Sequence, residues 1–482
     1  MTTRKCISRL LAGVLGVSLL LTGCAGTGGT KSGKADNKKA VSVKLDPDDP
    51  VDITFWHYYN GEQQQEMKKL VDEFNSTVGA EEGIFVNEVS QGTVDDLTES
   101  LEAAVEEKVG AEECPDMFSA YADMAYEWDK EDRLVDLTKY FTEDELSEYV
   151  DGYIQSGRFH DGGLKLFPVA KSTEVFILNK TDWDAFAKET GADVQELRTW
   201  EGIAATAKKY YEWSSGKAFF GRDAWANYIF VGCKQLGKEL YTVNENGEAV
   251  FQSDPVIFRK LWDNFYVPYI SGYYTQEGKF RSDDVKTGTI IGYVGSSSSV
   301  GYFPGEVSDE DGNTHAIAFD IFPTPNFEGA DSLAISQGAG VAVFCSDEKK
   351  EYACARFLKW FTQEQQNLDF SRQSGYLPVK KEAQNPDNFT ISDDSDITQK
   401  TLEVTLGMSE EYNYYETQTF DNAYKVRNVV EDSLKEEAQK YREKVVELEQ
   451  SGKYTHEEAV AACNTDEIFN AWFEGLQKQL EE

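Results

Sequence analysis

Basic residues are scarce in this chain. Of its 482 residues, 47 are Lys or Arg against 86 Asp or Glu, a formal charge of −39. A field of that sign repels polyanions, which excludes general DNA or RNA binding through phosphate neutralisation. It also disfavours docking on anionic lipid through a polybasic surface. Histidine is scarcer still. His57, His160, His315 and His456 are scattered, with no HxxxH or HExxH spacing, so no zinc signature is present. Setting aside Cys6 and Cys24 near the N-terminus leaves Cys114, Cys233, Cys345, Cys354 and Cys463. That odd set has no CxxC, which argues against a disulfide framework and predicts buried thiols. Neither a GxSxG elbow nor a P-loop occurs, and no cofactor is implied. Beyond Leu21 no apolar run reaches the roughly 18 residues that a spanning helix needs. What is present is ample material for buried cores, with 40% apolar and 13% aromatic residues. The length suits about three domain-sized units, or two lobes of about 200 residues with a tail.

The N-terminus reads as an address. Arg4, Lys5 and Arg9 form a basic stretch, and Leu10 to Leu21 is an apolar segment too short to span a membrane. It ends in Leu21-Thr22-Gly23-Cys24. This resembles the bacterial lipobox, in which a peptidase cuts before a Cys whose sulfur carries a diacylglycerol. Residues 1–23 are thus expected to be a signal peptide, Cys24 a lipidation site, and residues 24–50 a flexible tether poor in large apolar groups. The expected location is the outer face of a bacterial cell membrane, held by lipid.

Two alternations of strand and helix follow. Val51 to Trp56 reads as a buried strand, and Gly61 to Asn75 as a helix with Met67, Leu70, Val71 and Phe74 on one face. Ile84 to Val89 and Pro115 to Ser119 are further strands, with helices over 95–109 and 123–130. Strands separated by such helices predict βαβ units and a parallel sheet. Ligands of such sheets lie beyond the carboxyl ends of the strands. Glu174 to Asn179 is a strand leaving this first lobe. Helices are expected near 182–190, 199–213, 223–236 and 254–267, and strands over 289–294 and 316–322. Gly340 to Cys345 returns to the first lobe, an amphipathic helix spans 347–361, and the acidic remainder from about 398 is mostly helical. The expected divisions are 51–170 for the first part of lobe 1, 171–330 for lobe 2, 331–395 for the return, and 396–482 for helices covering the lobes. A chain that leaves one lobe and comes back makes a hinge.

Several stretches, in order, resemble the family 1 extracellular solute-binding proteins of bacterial ABC importers, in their sugar and glycerol-3-phosphate cluster. They include Ile53-Thr54-Phe55-Trp56-His57, Leu166-Phe167-Pro168, Leu178-Asn179-Lys180, Ser336-Gln337-Gly338-Ala339-Gly340 and Ser374-Gly375-Tyr376-Leu377-Pro378-Val379. The resemblance implies an α/β, two-lobe periplasmic-binding-protein-like fold with multiple interlobe crossings and a helical C-terminal region. It implies a small-molecule solute in the cleft, permease subunits as partners, and a monomer. Carried over by motif, the cleft residues would be His57, Tyr58, Gln91, Tyr121, Ser172, Thr173, Trp225, Ser297, Ser298, Gly338, Tyr376 and Arg427. Lys171 and Gln337 depart from the family pattern.

The residue types suit carbohydrate. Aromatic rings cover the C–H faces of a sugar, and polar side chains bond its hydroxyls. A neutral mono- or oligosaccharide is the first expectation. A phosphorylated polyol or glycerophosphodiester, held by Lys171 and Arg427, is the second. A secreted polysaccharide-degrading enzyme or a surface adhesin are the other classes, but 86 acidic residues make any carboxylate pair uninformative.

Overall fold

A computed structural model describes residues 39–244, 247–309, 312–389 and 396–481. The signal segment, Cys24 and most of the tether lie outside the described residues.

Strands Val51–His57 (β1), Ile84–Ser90 (β2), Met117–Ala120 (β3) and Phe167–Pro168 (β4) belong to the first sheet. Strands Glu174–Asn179 (β5), Phe220–Arg222 (β6), Gly292–Ser296 (β7) and Phe319–Pro323 (β8) make the second. Leu333–Ile335 (β9) follows, then Gly340–Val343 (β10), which returns to the first sheet. Asn413–Tyr415 (β11) pairs in parallel with β9. The first sheet has the order β2-β1-β3-β10-β4 and the second β8-β5-β7-β6.

β1 pairs in parallel with β2 and β3, as helix-separated strands should. The expectation of a parallel sheet fails at β10, which is antiparallel to both β3 and β4. The second sheet is antiparallel too, except where β6 meets β7. The physical reason is the connectivity. A strand arriving from the other lobe has no crossover helix on its own sheet to dictate its direction.

The helix Gly61–Ser76 buries Met67, Leu70, Val71 and Phe74, the face its spacing predicts. The aromatic and aliphatic residues divide into two main cores, one under each sheet. The helices Ala423–Gln450 and Asp466–Glu481 send Val430, Leu434, Ala438, Trp472 and Phe473 into the second of these cores. The helix Ile397–Glu411 crosses the back of β8 and the serine turn after β7.

The lobes are joined by a narrow ribbon. Ser172 and Gln337 exchange backbone hydrogen bonds of 2.7 and 2.9 Å, and Lys171 does the same with Leu377 at 3.1 and 2.6 Å. Gly338 sits in this ribbon at φ +101°, where a Cβ would lie 3.0 Å from Ala170 O and 3.1 Å from Lys171 Cα. Only glycine fits both the left-handed backbone and the close approach.

No disulfide joins the described cysteines. Cys233, Cys354 and Cys463 are buried, whereas Cys114 is exposed, contrary to the expected buried thiol. No helix among the described residues is long and apolar enough to cross a membrane.

Candidate functional site

Between the lobes lies a cleft of about 510 Å³, walled by the end of β3, the connecting ribbon, the helix Trp225–Gln235 and the start of the helix Ala423–Gln450. Tyr121 follows β3 directly and caps the helix Ala122–Asp129. The residue is 36% exposed, and the near-parallel ring of Tyr58 stands behind its own at 6.5 Å. Tyr58 in turn shares a hydroxyl contact of 3.2 Å with Tyr376. Burial raises the pKa of all three phenols, so they remain protonated donors across the biological range.

Arg427 faces the cleft from the first turns of the helix Ala423–Gln450, and its Nη2 donates to Asn227 Oδ1 at 2.8 Å. The Asn227 amide nitrogen donates to Glu174 Oε1 at 2.8 Å and to Gln337 Oε1 at 3.1 Å. Behind them Arg222 donates to Glu174 Oε2 at 2.5 Å, with almost no exposure of either side chain. One turn beyond Arg427, Glu431 accepts from Ala226 N at 2.7 Å, at the start of the helix Trp225–Gln235. A carboxylate suits that positive helix end. The two bonds fix the C-terminal helix to lobe 2 and hold the guanidinium in place.

Asp123 and Glu416 supply carboxylates to the cleft wall. Burial raises the pKa of each, and a cation opposes the shift: Arg427 for Asp123, Lys171 for Glu416. Asp223 is pushed up to about 6 by burial, against the pull of Arg281. No cluster of three or more His, Cys, Asp or Glu among the described residues could hold a metal.

Of the twelve residues expected from sequence, Tyr121, Gly338 and Arg427 line this cleft. The other nine are placed elsewhere. His57 is buried in lobe 1, with Nε2 2.8 Å from Glu88 Oε2, because the pleat turns alternate side chains to opposite faces. Gln91 binds the His57 carbonyl through its backbone at 2.8 Å. Ser172 is held in the ribbon, and Thr173 Oγ1 donates to Ile335 O at 2.7 Å. Tyr58 and Tyr376 form the layer behind Tyr121. Trp225 is 1% exposed against Phe265 and Tyr269, and reaches the cleft only by donating from Nε1 to Gln276 Oε1 at 3.0 Å. Ser297 Oγ accepts from Thr173 N at 3.3 Å, and the Ser298 hydroxyl meets that of Ser296 at 2.9 Å. The serine turn instead joins the lobes. Gln63 Nε2 donates to Ser298 O at 2.8 Å, and Tyr302 OH donates to Asn60 Oδ1 at 2.6 Å.

Sequence reasoning missed Asp123, Asn227, Gln276, Glu416 and Glu431. Asp123 and Asn227 lie two positions beyond Tyr121 and Trp225; Tyr121 shares the cleft with Asp123, whereas Trp225 is core and Asn227 takes its place in the lining. Glu416 had no local signal.

Two lobes, a ribbon between them and a polar cleft lined by both define a two-lobe binding protein of the periplasmic type. The model of the family described as bacterial extracellular solute-binding protein matches residues 69–399, and the chain belongs to that family. No curated protein sequence matches it. Among solved structures, the cyclic α-maltosyl-1,6-maltose binding protein of Arthrobacter globiformis superposes with a TM-score of 0.61 at 19% identity, covering 88% of this chain and 100% of that one. UgpB of Mycobacterium tuberculosis, in complex with glycerophosphocholine, gives 0.63 at 18% identity, covering 89% and 99%. Maltose-bound MalE3 of T. maritima gives 0.61 at 16% identity, also covering 89% and 99%. The similarity at these identities is one of fold.

Proposed function

We propose that the protein captures a neutral mono- or oligosaccharide between its lobes and hands it to the permease of an ABC importer. The carrying observation is the exposed Tyr121 ring, backed by Tyr58 and set beside Arg427, whose guanidinium Asn227 holds in place. An aromatic face with fixed donors and acceptors around it is what a sugar ring requires. Among the described residues the cleft wall carries five carboxylates and four cations, so charge nearly balances there. The saccharides named for structural neighbours agree with this reading. No covalent step is part of it. Closure of the lobes about the ribbon shifts towards the state that binds the sugar better. Cys24, lying outside the described residues, anchors the protein through lipid at the extracytoplasmic face.

Thermal-shift screening against neutral saccharides, sugar phosphates and glycerophosphodiesters tests the ligand class. A ligand at about 100 times its dissociation constant stabilises by about 2.7 kcal/mol. A response to a neutral saccharide without its turnover supports the proposal. A response to phosphorylated compounds alone, or hydrolysis of the sugar, overturns it. Mass spectrometry of the membrane-bound protein and of Cys24→Ser tests the anchor.

A further inference from the structure

Lys171 lies in the cleft wall with its ammonium short of partners. The side chain is 7% exposed. Among the described residues its Nζ reaches one acceptor, Gly338 O, at 3.5 Å, and stands 5.6 Å from the centroid of the Tyr153 ring. An ammonium carries three donors, and burying one without acceptors is costly. Glu416 answers its charge from across the cleft wall, yet among the described residues the two form no direct ion pair. Ser336 lines the same place. Its Oγ is buried and turned towards the Glu416 carboxylate, as is the hydroxyl of Ser156. The ribbon residues Lys171 and Ser336 and the segment after β11 thus meet around an ammonium with donors to spare and a carboxylate held by hydroxyls.

We infer that Lys171, Glu416 and Ser336 form a specificity-determining subsite, which takes neighbouring hydroxyls of a neutral sugar ring and turns anionic groups away. The inference rests on the saccharide reading of the cleft. A hydroxyl both accepts and donates, so it can accept from Lys171 while giving its proton to Glu416. A second hydroxyl satisfies Ser336. A carboxylate or phosphate satisfies the ammonium but has no proton for Glu416 and meets its negative charge. The discrimination is then partly repulsive, which is how sites reject close analogues. Burial lowers the pKa of Lys171 and raises that of Glu416, and the charge of each opposes the other's shift.

The test is calorimetric titration of the full chain with glucose, galactose, xylose and their α- and β-linked oligomers, alongside the matching uronic acids and 6-phosphates. The expected result is that the wild type binds a neutral member and Lys171→Met weakens that binding at least tenfold. Glu416→Gln is expected to improve the matching uronate or phosphate, relative to the neutral sugar, at least tenfold. Ser336→Ala carries a smaller loss and replaces either variant if it does not fold. Wild-type affinity for the neutral sugar in all folded variants overturns the subsite while leaving the saccharide cleft standing. Wild-type preference for the uronate or phosphate overturns it as well. If the wild type binds no member, the saccharide reading falls and the subsite falls with it.

Discussion

Asn227 accepts a 2.8 Å hydrogen bond from Arg427, a residue of the C-terminal helix, while its amide nitrogen serves Glu174 and Gln337. One side chain thereby ties the cleft guanidinium to a buried ion pair and to the ribbon between the lobes. Every polar atom of the amide is engaged, so its orientation is fixed by its partners. Arg427 and Glu174 thus sit on one network, with different duties.

Changing the two ends of that network should separate binding from stability. Arg427→Met is expected to lower saccharide affinity about tenfold or more, with a loss of stability of about 1 kcal/mol from the freed Asn227 acceptor. Glu174→Gln strands the buried Arg222 and should destabilise the fold by about 3–5 kcal/mol. Titration calorimetry and urea denaturation read the two effects. A loss of stability in the first variant as large as in the second would contradict this division.

The same contrast holds for two aromatic residues. Tyr121→Ala removes the exposed platform and should lose about 1–2 kcal/mol of binding. Trp225→Ala opens a cavity against Phe265 and Tyr269 and should lose about 3–5 kcal/mol of stability. A Trp225→Ala protein as stable as the wild type would show that this ring is not core.

Gly338→Ala places a Cβ 3.0 Å from Ala170 O on a backbone at φ +101°. Destabilisation of at least about 1 kcal/mol is expected, from the strained backbone together with the clash. Equilibrium denaturation checks it. An unchanged midpoint would mean that the ribbon yields.

Asp223 gives the stability a pH dependence. Burial lifts its folded pKa to about 6 from the ordinary 3.8. Between those values the folded protein holds a proton that the unfolded chain releases. Its contribution is therefore present at low pH and is lost as the pH rises towards and through 6. One such proton is worth up to about 1.4 kcal/mol per pH unit. Asp223→Asn should flatten this part of the profile, leaving the other carboxylates to act at lower pH. Melting temperatures of both proteins from pH 4 to 7 decide the matter.

Most elements were legible in the sequence because apolar spacing survives locally. The helix Gly61–Ser76 and the strands β1, β2 and β5 show their period in a single window. β4 and β6 did not, being two and three residues long and formed through partners distant in the chain. In the cleft, the strand-end rule led to Tyr121. It also pointed to His57, because facing depends on register and on neighbours that one strand does not record. Trp225 carried a usable warning. Its helix is buried on nearly every side, which marks core rather than a binding face. Glu416 reaches Lys171 only through the complete fold, so no local pattern announces it.

The position of β10 bears on how the protein is made. Gly340–Val343 fills the gap between Met117–Ala120 and Phe167–Pro168, strands made long before it. Until residue 343 has emerged, the central strand Met117–Ala120 has β1 on one side and lacks its partner on the other, and Phe167–Pro168 has no place in the sheet. Contacts so distant in sequence close slowly. The first lobe is therefore completed by residues that lie beyond the whole second sheet in the chain, so its folding depends on contacts that span the other lobe.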